Sequence, residues 1–330
     1  MSTPLFPDPA LTASIYCAGR LDAAIFHAVA PFWRELQPHD PERLCHLWLM
    51  RYGKGGEHLK VRVHGPESLR PLQRRLLEEK VTGFLISLPA LEAPPRKRER
   101  APAIDAEDED AGGDRPDRTL LWTTYRRSHV SLGGEPFLSD DHYATLFTRC
   151  LAAGCEMVCA LAADAEGPPP QRTRRNTLLK ALIAGLAALG FEAEKRADYL
   201  AYHGDWLLRS LLPADQRTEA EPLERLRRRL DEKIAGMGDS FIALRKMAAR
   251  QWRGGEEADA GWRRSLTALH EYISPLCRAP EYRLDPFASD PTFAPVFKAF
   301  HGFANQLGLP HADEAFAHHI LLRINAHELP

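Results

Sequence analysis

Apolar and polar residues alternate strictly along one stretch in the first half of the chain. A period of two is typical of a β-strand with two different faces. The apolar positions are Leu59, Val61 and Val63, and the polar positions are His58, Lys60, Arg62 and His64. A short run rich in apolar residues (45–50) comes before this stretch, and the glycine-rich segment 53–56 separates the two. The pattern therefore predicts a hairpin of two strands.

Four basic side chains would then project from one face of the second strand. On a covered face the positive charges of these side chains would repel one another, unless the side chains bind an anionic ligand or a carboxylate partner. On an open face it is simply the solvated side of an antiparallel sheet, which is the commoner origin of such rows. The pattern alone leaves both interpretations open.

Before and after the hairpin, hydrophobic residues mostly recur at intervals of three and four. A first strand is predicted over 13–19, then a helix over 21–36 in which Pro31 should introduce a kink. Pro66 is predicted to open the next helix. This order of strands and helices is typical of an α+β fold, with helices laid on a sheet.

The second half of the chain is predicted to be mainly helical. One more strand is indicated over 119–126 by β-branched and aromatic residues, and 139–141 offer an N-cap for a helix that ends near 163. The further helices are predicted over 171–189, 192–211, 219–236, 239–252, 259–277, 291–307 and 312–326. The predicted fold is thus α+β, an antiparallel sheet with packed helices followed by a helix-rich half.

Between 93 and 118 the composition changes abruptly. Basic residues are followed by an acidic run, glycines and proline, with few apolar side chains to offset the entropy of ordering. A disordered charged surface loop is predicted, and a docking segment for a partner is the alternative. This divides the chain into an N-terminal α+β part with the basic hairpin (1–92), the loop (93–118) and the remaining part of the same catalytic unit (119–330).

Overall composition restricts the classes of protein that fit. The 330 residues are 44% hydrophobic and 27% charged, with a formal net charge of -2. Such a balance gives no general attraction to nucleic acid, and we expect no direct nucleic-acid binding. No uninterrupted apolar run reaches about 18 residues, so we expect no membrane association. The N-terminus does not resemble a secretion signal, and the predicted location is the cytoplasm.

The cysteines do not suggest a metal site. Cys155 and Cys159 are four residues apart on a predicted helix, but neither a second pair nor a nearby histidine completes a set of ligands. We predict that all six cysteines are buried free thiols.

Three stretches resemble one known family. The first is 51–62, Arg-Tyr, a glycine loop, then His-Leu-Lys-Val-Arg; the second is 125–134, which ends in Leu-Gly-Gly; the third is 318–323, His-His-Ile-Leu-Leu-Arg. In order and spacing they are similar to motifs of the lantibiotic dehydratase C-terminal family, also called the thiopeptide-type bacteriocin biosynthesis domain. The resemblance covers nearly the whole chain.

The resemblance implies an enzyme that modifies a ribosomally made peptide. The favoured reaction is lyase chemistry, the elimination of glutamate from glutamylated Ser or Thr to give dehydroamino acids. The alternative is a formal [4+2] cycloaddition that joins two dehydroalanines into a pyridine. A third reading is a noncatalytic partner that binds the leader peptide for a dehydratase.

The same resemblance implies the partners. These are a precursor peptide with its leader and, for the elimination, a separate glutamylating dehydratase. No cofactor is implied, and a homodimer is compatible with the sequence.

Site residues follow by matching the motifs. The catalytic candidates are Arg62, as a carboxylate clamp, Lys60, where the family usually has arginine, and His318, as the group that transfers a proton. The substrate-binding candidates are His58, Arg51, Arg323 and Arg127. No metal ligand is expected. The enzyme hypotheses predict that Arg62 and His318 converge in one pocket, whereas without the resemblance one of His318 and His319 would simply be a packed core residue.

This sequence also departs from the family pattern. Ser131 stands where the family has an arginine, Leu132 where it has a tyrosine and Ser128 where it has a glutamate, while Leu322 replaces an asparagine. Loss of the arginine weakens elimination in particular, because that residue is expected to hold the glutamyl group. A cycloaddition depends more on positioning and tolerates these losses better.

Overall fold

The computed structural model describes residues 11–53, 57–89, 117–123, 137, 140–163, 167–254, 260–282 and 288–327. The chain divides into two compact units, Met1–Pro169 and Pro170–Pro330, which are described separately. A four-stranded antiparallel sheet with helices lies in the first, and the described part of the second is helical, so the α+β prediction is confirmed. Most of the predicted charged loop (93–118) lies outside the described residues, and the predicted division at that loop stays a prediction.

The first unit contains all four described strands. Their order in the sheet is β2-β3-β1-β4, and each neighbouring pair is antiparallel. The elements are β1 (Leu11–Tyr16), α1 (Leu21–Ala24), a π-helical segment (Ile25–Val29), α2 (Ala30–Leu36), β2 (His46–Tyr52), β3 (His58–His64), α3 (Arg70–Ser87), β4 (Thr119–Thr123) and α4 (Asp141–Ala163). The predicted hairpin is confirmed as β2 and β3.

The alternation in β3 sorts its side chains onto two faces. Val61 pairs with Ala13 on one side and Leu49 on the other, so the apolar positions of three strands share one face. The second face carries the basic residues of β3. Every residue of β3 is buried, which means that both faces of the sheet are covered there.

The helix changes its hydrogen-bonding pattern just before Pro31, the position of the predicted kink. A proline has no N–H to donate and its ring clashes with the carbonyl four residues earlier, here that of His27. The chain accommodates this with the π-helical segment Ile25–Val29 just before α2. The helix after Pro66 begins later than predicted: a 3₁₀ turn (Glu67–Leu69) comes first, and α3 starts at Arg70 with a proline in its first turn.

α4 begins at the predicted cap. The Asp140 carboxylate accepts hydrogen bonds from the backbone N–H groups of His142 (3.0 Å) and Tyr143 (2.9 Å). Among the described helices, α4 is long and apolar enough to pass for a membrane span. However, 61% of that apolar window is buried inside the protein, and this is the burial of a core helix.

The second unit consists of seven α-helices within its described residues, each within two residues of its predicted bounds. They are α5 (Gln171–Ala188), α6 (Ala193–Ser210), α7 (Ala220–Ala235), α8 (Asp239–Trp252), α9 (Ala260–Leu276), α10 (Phe293–Gln306) and α11 (His311–Asn325). Buried Trp262 of α9 donates a hydrogen bond to the carbonyl of Ala181 at 3.1 Å. Gly185 allows α5, α9 and α10 to approach closely, because a Cβ there would lie 2.6 Å from the Phe300 ring.

Candidate functional site

The basic row of β3 lies opposite aromatic residues of its neighbouring strands. Trp48 of β2 pairs with Arg62, and Tyr52 of β2 pairs with His58. On the other side, Tyr16 of β1 also pairs with His58. Antiparallel register places such partners close together on the same face. The basic face is therefore an aromatic face as well.

Ring contacts explain how the row can be buried. The His58 ring stacks between Tyr16 and Tyr52, at centroid distances of 4.7 and 5.4 Å. Lys60 Nζ lies 5.0 Å from the centre of the Tyr52 ring, and the Arg62 guanidinium carbon lies 4.2 Å from the centre of Trp48. Arg62 has 0% exposure and the other three basic residues of the row 3–4%. The interpretation of the row as a solvated face is wrong.

His64 reduces the charge in the row. Trp48 Nε1 donates a hydrogen bond to His64 Nε2 at 3.2 Å, which requires an unprotonated nitrogen there. Burial, the Arg62 cation and His46 together lower the pKa of His64 to about 3. This side chain is therefore neutral at physiological pH, and mutual repulsion along the strand is smaller than the sequence suggests.

Arg51, one of the predicted substrate-binding residues, does not join this face. Arg51 pairs with Leu59 and so lies on the apolar face, where it forms an ion pair with Asp22 of α1 at 2.7 Å. Arg127 lies outside the described residues, as do the family departures at Ser128, Ser131 and Leu132. The role of each as a substrate ligand stays a prediction.

His318 lies in a buried cluster in the second unit. It has 0% exposure, and its Nδ1 donates to the backbone carbonyl of Glu314 at 3.0 Å. A carbonyl can only accept, so the proton of the neutral ring is on Nδ1 and the lone pair is on Nε2. Burial lowers the pKa of His318, opposed by the Glu314 carboxylate. His318 is thus a neutral imidazole with a defined basic nitrogen.

The same cluster contains a carboxylate that sequence reasoning missed. Glu314 is 1% exposed, and its Oε2 accepts a hydrogen bond from His301 Nδ1 at 2.8 Å. Burial by itself would raise the pKa of this carboxyl, but His301, His318 and His311 outweigh burial and lower it. Glu314 is therefore an ionised group surrounded by histidines. Its spacing of four residues from His318 on one helix was the signal that could have found it.

Arg323 and His319 border a different feature of the second unit. Asp231 of α7 accepts hydrogen bonds from Arg323 at 2.5 and 2.7 Å and from His319 at 2.8 Å. The hydrogen bond from Arg323, aided by His319, holds the pKa of Asp231 below its usual range. These residues line an open pocket of about 240 Å³, which Arg227 also borders. Like His318, His319 is buried, at 6% exposure, so neither of the two is a surface residue.

The predicted site residues therefore fall into separate groups. His58, Lys60 and Arg62 share one face in the first unit, while His318 and Arg323 belong to the second, so convergence of Arg62 with His318 stays a prediction. Sequence reasoning missed the aromatic partners on β2, although Trp48 and Tyr52 follow the same period of two as the basic row.

The described part of the chain contains no metal cluster. No group of three or more His, Cys, Asp or Glu residues there is arranged to hold a metal ion. All six cysteines are free and buried, as predicted. Burial raises the pKa of Cys17 and of Cys45 to about 12, so both remain unreactive thiols.

Comparison with known proteins identifies the class. The model of the family described as lantibiotic biosynthesis dehydratase C-term matches residues 11–324. The chain belongs to this family, and the resemblance of its motifs is confirmed. No curated protein matched the sequence.

Two solved structures share the fold over 97% of the chain. One is the pyridine synthase TbtD from thiomuracin biosynthesis, with a TM-score of 0.64, 16% identity, and coverage of 97% of this chain and 98% of that chain. Another is TsrL, with a TM-score of 0.56, 14% identity, and coverage of 97% and 95%. The tRNA-dependent lantibiotic dehydratase MibB from a Microbispora species aligns with 99% of this chain but 29% of its own, with a TM-score of 0.42 and 16% identity.

Proposed function

We propose that this protein is a peptide-tailoring enzyme that joins two dehydroalanines of a precursor peptide in a formal [4+2] cycloaddition. Elimination, which the family resemblance favoured, becomes the second candidate. The observation that carries the proposal is the covered basic face, where Lys60 and Arg62 lie against aromatic rings, 3% and 0% exposed. The proposal concerns the reaction, since the family is already established.

Elimination and cycloaddition make different demands on these cations. Elimination requires cations that are open to the glutamyl carboxylates, and a guanidinium buried over an indole is a poor candidate for that task. A cycloaddition mainly needs two reacting groups held in the right geometry. Buried aromatic side chains and fixed cations hold a rigid shape, and Tyr52, the half-buried ring of this face, can stack on an uncharged, flat substrate. The full-length fold match to a named pyridine synthase adds support.

Elimination remains the second candidate because of His318. Its Nδ1 is bonded to the Glu314 carbonyl, so the lone pair of the neutral ring is on Nε2, the nitrogen that would have to act as the base for the α-proton. A noncatalytic role in leader binding would require neither His318 Nε2 nor Arg62 for any chemical step. In all three cases the partner is a precursor peptide, and a separate dehydratase supplies either the glutamylated or the dehydrated residues.

Mass spectrometry with two substrates separates these functions. The purified full chain is incubated with a peptide that carries two dehydroalanines, and separately with a glutamylated precursor. Cyclisation of the first with release of the leader is the expected result. Loss of glutamate from the second would establish elimination instead, and binding of both without a change in mass would leave a leader-binding protein.

A further inference from the structure

Among the buried polar atoms of the second unit that make no hydrogen bond with the described residues, three belong to side chains that pack near one another. They are the Tyr199 hydroxyl, His318 Nε2 and Glu314 Oε1. Tyr199 and His318 have 0% exposure and Glu314 has 1%. A buried polar group without a partner destabilises the folded protein, so three in one cluster need an explanation.

The packing of α6 against α11 brings these groups together. Gly204 of α6 faces His318. A Cβ atom added at Gly204 would lie 3.5 Å from the Cβ of His318. The rings of Tyr199 and His318 are 6.1 Å apart. Glu314 lies one helical turn from His318 on α11. Buried polar groups of this kind are the ones that bound waters commonly satisfy in proteins.

Glu314 also connects this interior to the outside. Its Oε2 is bonded to His301 of α10 at 2.8 Å, and the His301 side chain is 20% exposed. The ring of His311 lies 5.2 Å from that of His301. The charged or titratable groups that face Glu314 and His318 from the packed helices are Tyr199 and His203 of α6, His301 of α10 and His311 of α11. Glu314 itself is a carboxylate, and the groups that face it are a tyrosine and histidines.

We propose that Glu314 is a positioning residue for His318. Its carboxylate stabilises the imidazolium that forms when His318 Nε2 takes a proton from the substrate, and a water among the three unpartnered atoms links Nε2 to Glu314. The proton then returns to the reacting peptide or leaves through Glu314 and His301. This inference rests on elimination, the second candidate under the proposed function, because that reaction requires His318 to transfer a proton.

Nitrogen-15 NMR of the histidine side chains tests the proposal on the full chain. Glu314→Gln keeps the shape and an acceptor for His301 but removes the charge. It should lower the protonation constant of His318 about tenfold or more, the usual effect of losing an opposite charge at close range. Asp313→Asn is the matched control, because Asp313 is also buried on α11 but pairs with Arg175. An unchanged His318 titration in Glu314→Gln would overturn the proposal.

Two further measurements keep the test decisive. If Glu314→Gln does not fold, His301→Gln is the second variant, because glutamine retains a donor to Glu314. This variant should slow the exchange of the His318 proton with solvent. An unchanged exchange rate would contradict a proton path through Glu314 and His301. With active enzyme, Glu314→Gln should lower kcat and shift its pH profile while KM stays constant. If the parent chain turns over neither peptide, the proposed function fails, but the NMR titration still decides whether Glu314 governs His318.

Discussion

The β3 face of the first unit and the histidine cluster of the second both bury basic side chains, by different means. Arg62 lies over the Trp48 ring, and His58 stacks between two tyrosines. His301, in contrast, meets the buried carboxylate of Glu314. An aromatic face stabilises a cation without itself becoming charged, whereas a carboxylate couples the protonation of every histidine near it. The aromatic face of β3 is therefore suited to a fixed geometry, whereas the histidine cluster is suited to binding and releasing a proton.

The largest expected effect comes from removing the covered cation. Arg62→Ala should reduce turnover at least ~100-fold, a typical loss for a residue that orients the reacting groups. Binding of the precursor peptide should largely survive. Mass spectrometry of the product and a binding titration measure the two effects. Arg74→Ala is the matched control, because Arg74 also lies over a tryptophan, Trp122, but on the apolar face of the sheet. Full activity of Arg62→Ala would remove Arg62 from the site.

The neutral histidine of β3 should make the stability depend on acid. Burial lowers the pKa of His64 to about 3, against 6.5 for the free side chain. Between these values the unfolded chain takes up a proton that the folded chain refuses, so stability falls as the pH falls. The slope from this group is about 1.4 kcal/mol per pH unit.

His64→Gln tests this directly, since glutamine can still accept from Trp48 but does not titrate. The variant should lose that part of the slope in urea unfolding between pH 6.5 and 4. His27→Gln, at an exposed position, should keep it. Equal slopes in the parent chain and His64→Gln would show that His64 is protonated in the folded protein.

The helix that carries His301 is expected to be sensitive to packing. Gly185→Ala places a methyl group 2.6 Å from the Phe300 ring and 2.7 Å from Leu266. Overpacking of this kind costs about 1–3 kcal/mol in the free energy of unfolding. Gly83→Ala in α3 meets nothing within 4 Å and should instead stabilise by about 0.4–1 kcal/mol. Thermal melting of both variants measures the contrast, and a Gly185→Ala protein as stable as its parent would mean looser packing around α10.

The smallest effect is expected at the pocket of the second unit. Asp231→Asn removes the partner of Arg323 and His319, but the Arg323 and Asp231 side chains are 48% and 37% exposed. Such a pair is worth about 0.2–1 kcal/mol. Because the pKa of Asp231 is lowered in the folded state, its contribution is present at neutral pH and disappears as the pH falls through the folded value. Urea unfolding at pH 7 and in acid should show this loss. Glu221→Gln, which breaks an exposed pair with Arg225, is the control. If Asp231→Asn lowered the free energy of unfolding by much more than Glu221→Gln does, the pair at the pocket would be stronger than an exposed ion pair.

Local rules were sufficient for most of the fold. The period of two at 58–64 predicts β3, and the spacing of three and four predicts the helices of the second unit to within two residues, because each pattern follows the repeat of its own element. Asp140 is predicted as a cap for the same local reason. The start of α3 was misplaced, since a proline is equally suited to a 3₁₀ turn and to the first turn of an α-helix.

The candidate site could be predicted only in part. His58, Lys60, Arg62 and His318 are visible in the sequence because they match family motifs. Their surroundings are not, because a basic row on a strand looks the same whether water or aromatic rings cover it. Only the register of three strands placed Trp48 over Arg62 and two tyrosines against His58.

The sequence by itself determined the class of fold, the bounds of most helices and the family, since all three depend on patterns within short segments. The tertiary structure decided which groups are charged. Burial and neighbouring charges keep His64 neutral and Glu314 ionised, and part of each effect comes from residues on other elements, His46 of β2 and His301 of α10. The protonation state of a side chain depends on the solvent and charges around it, and these exist only once the chain has folded.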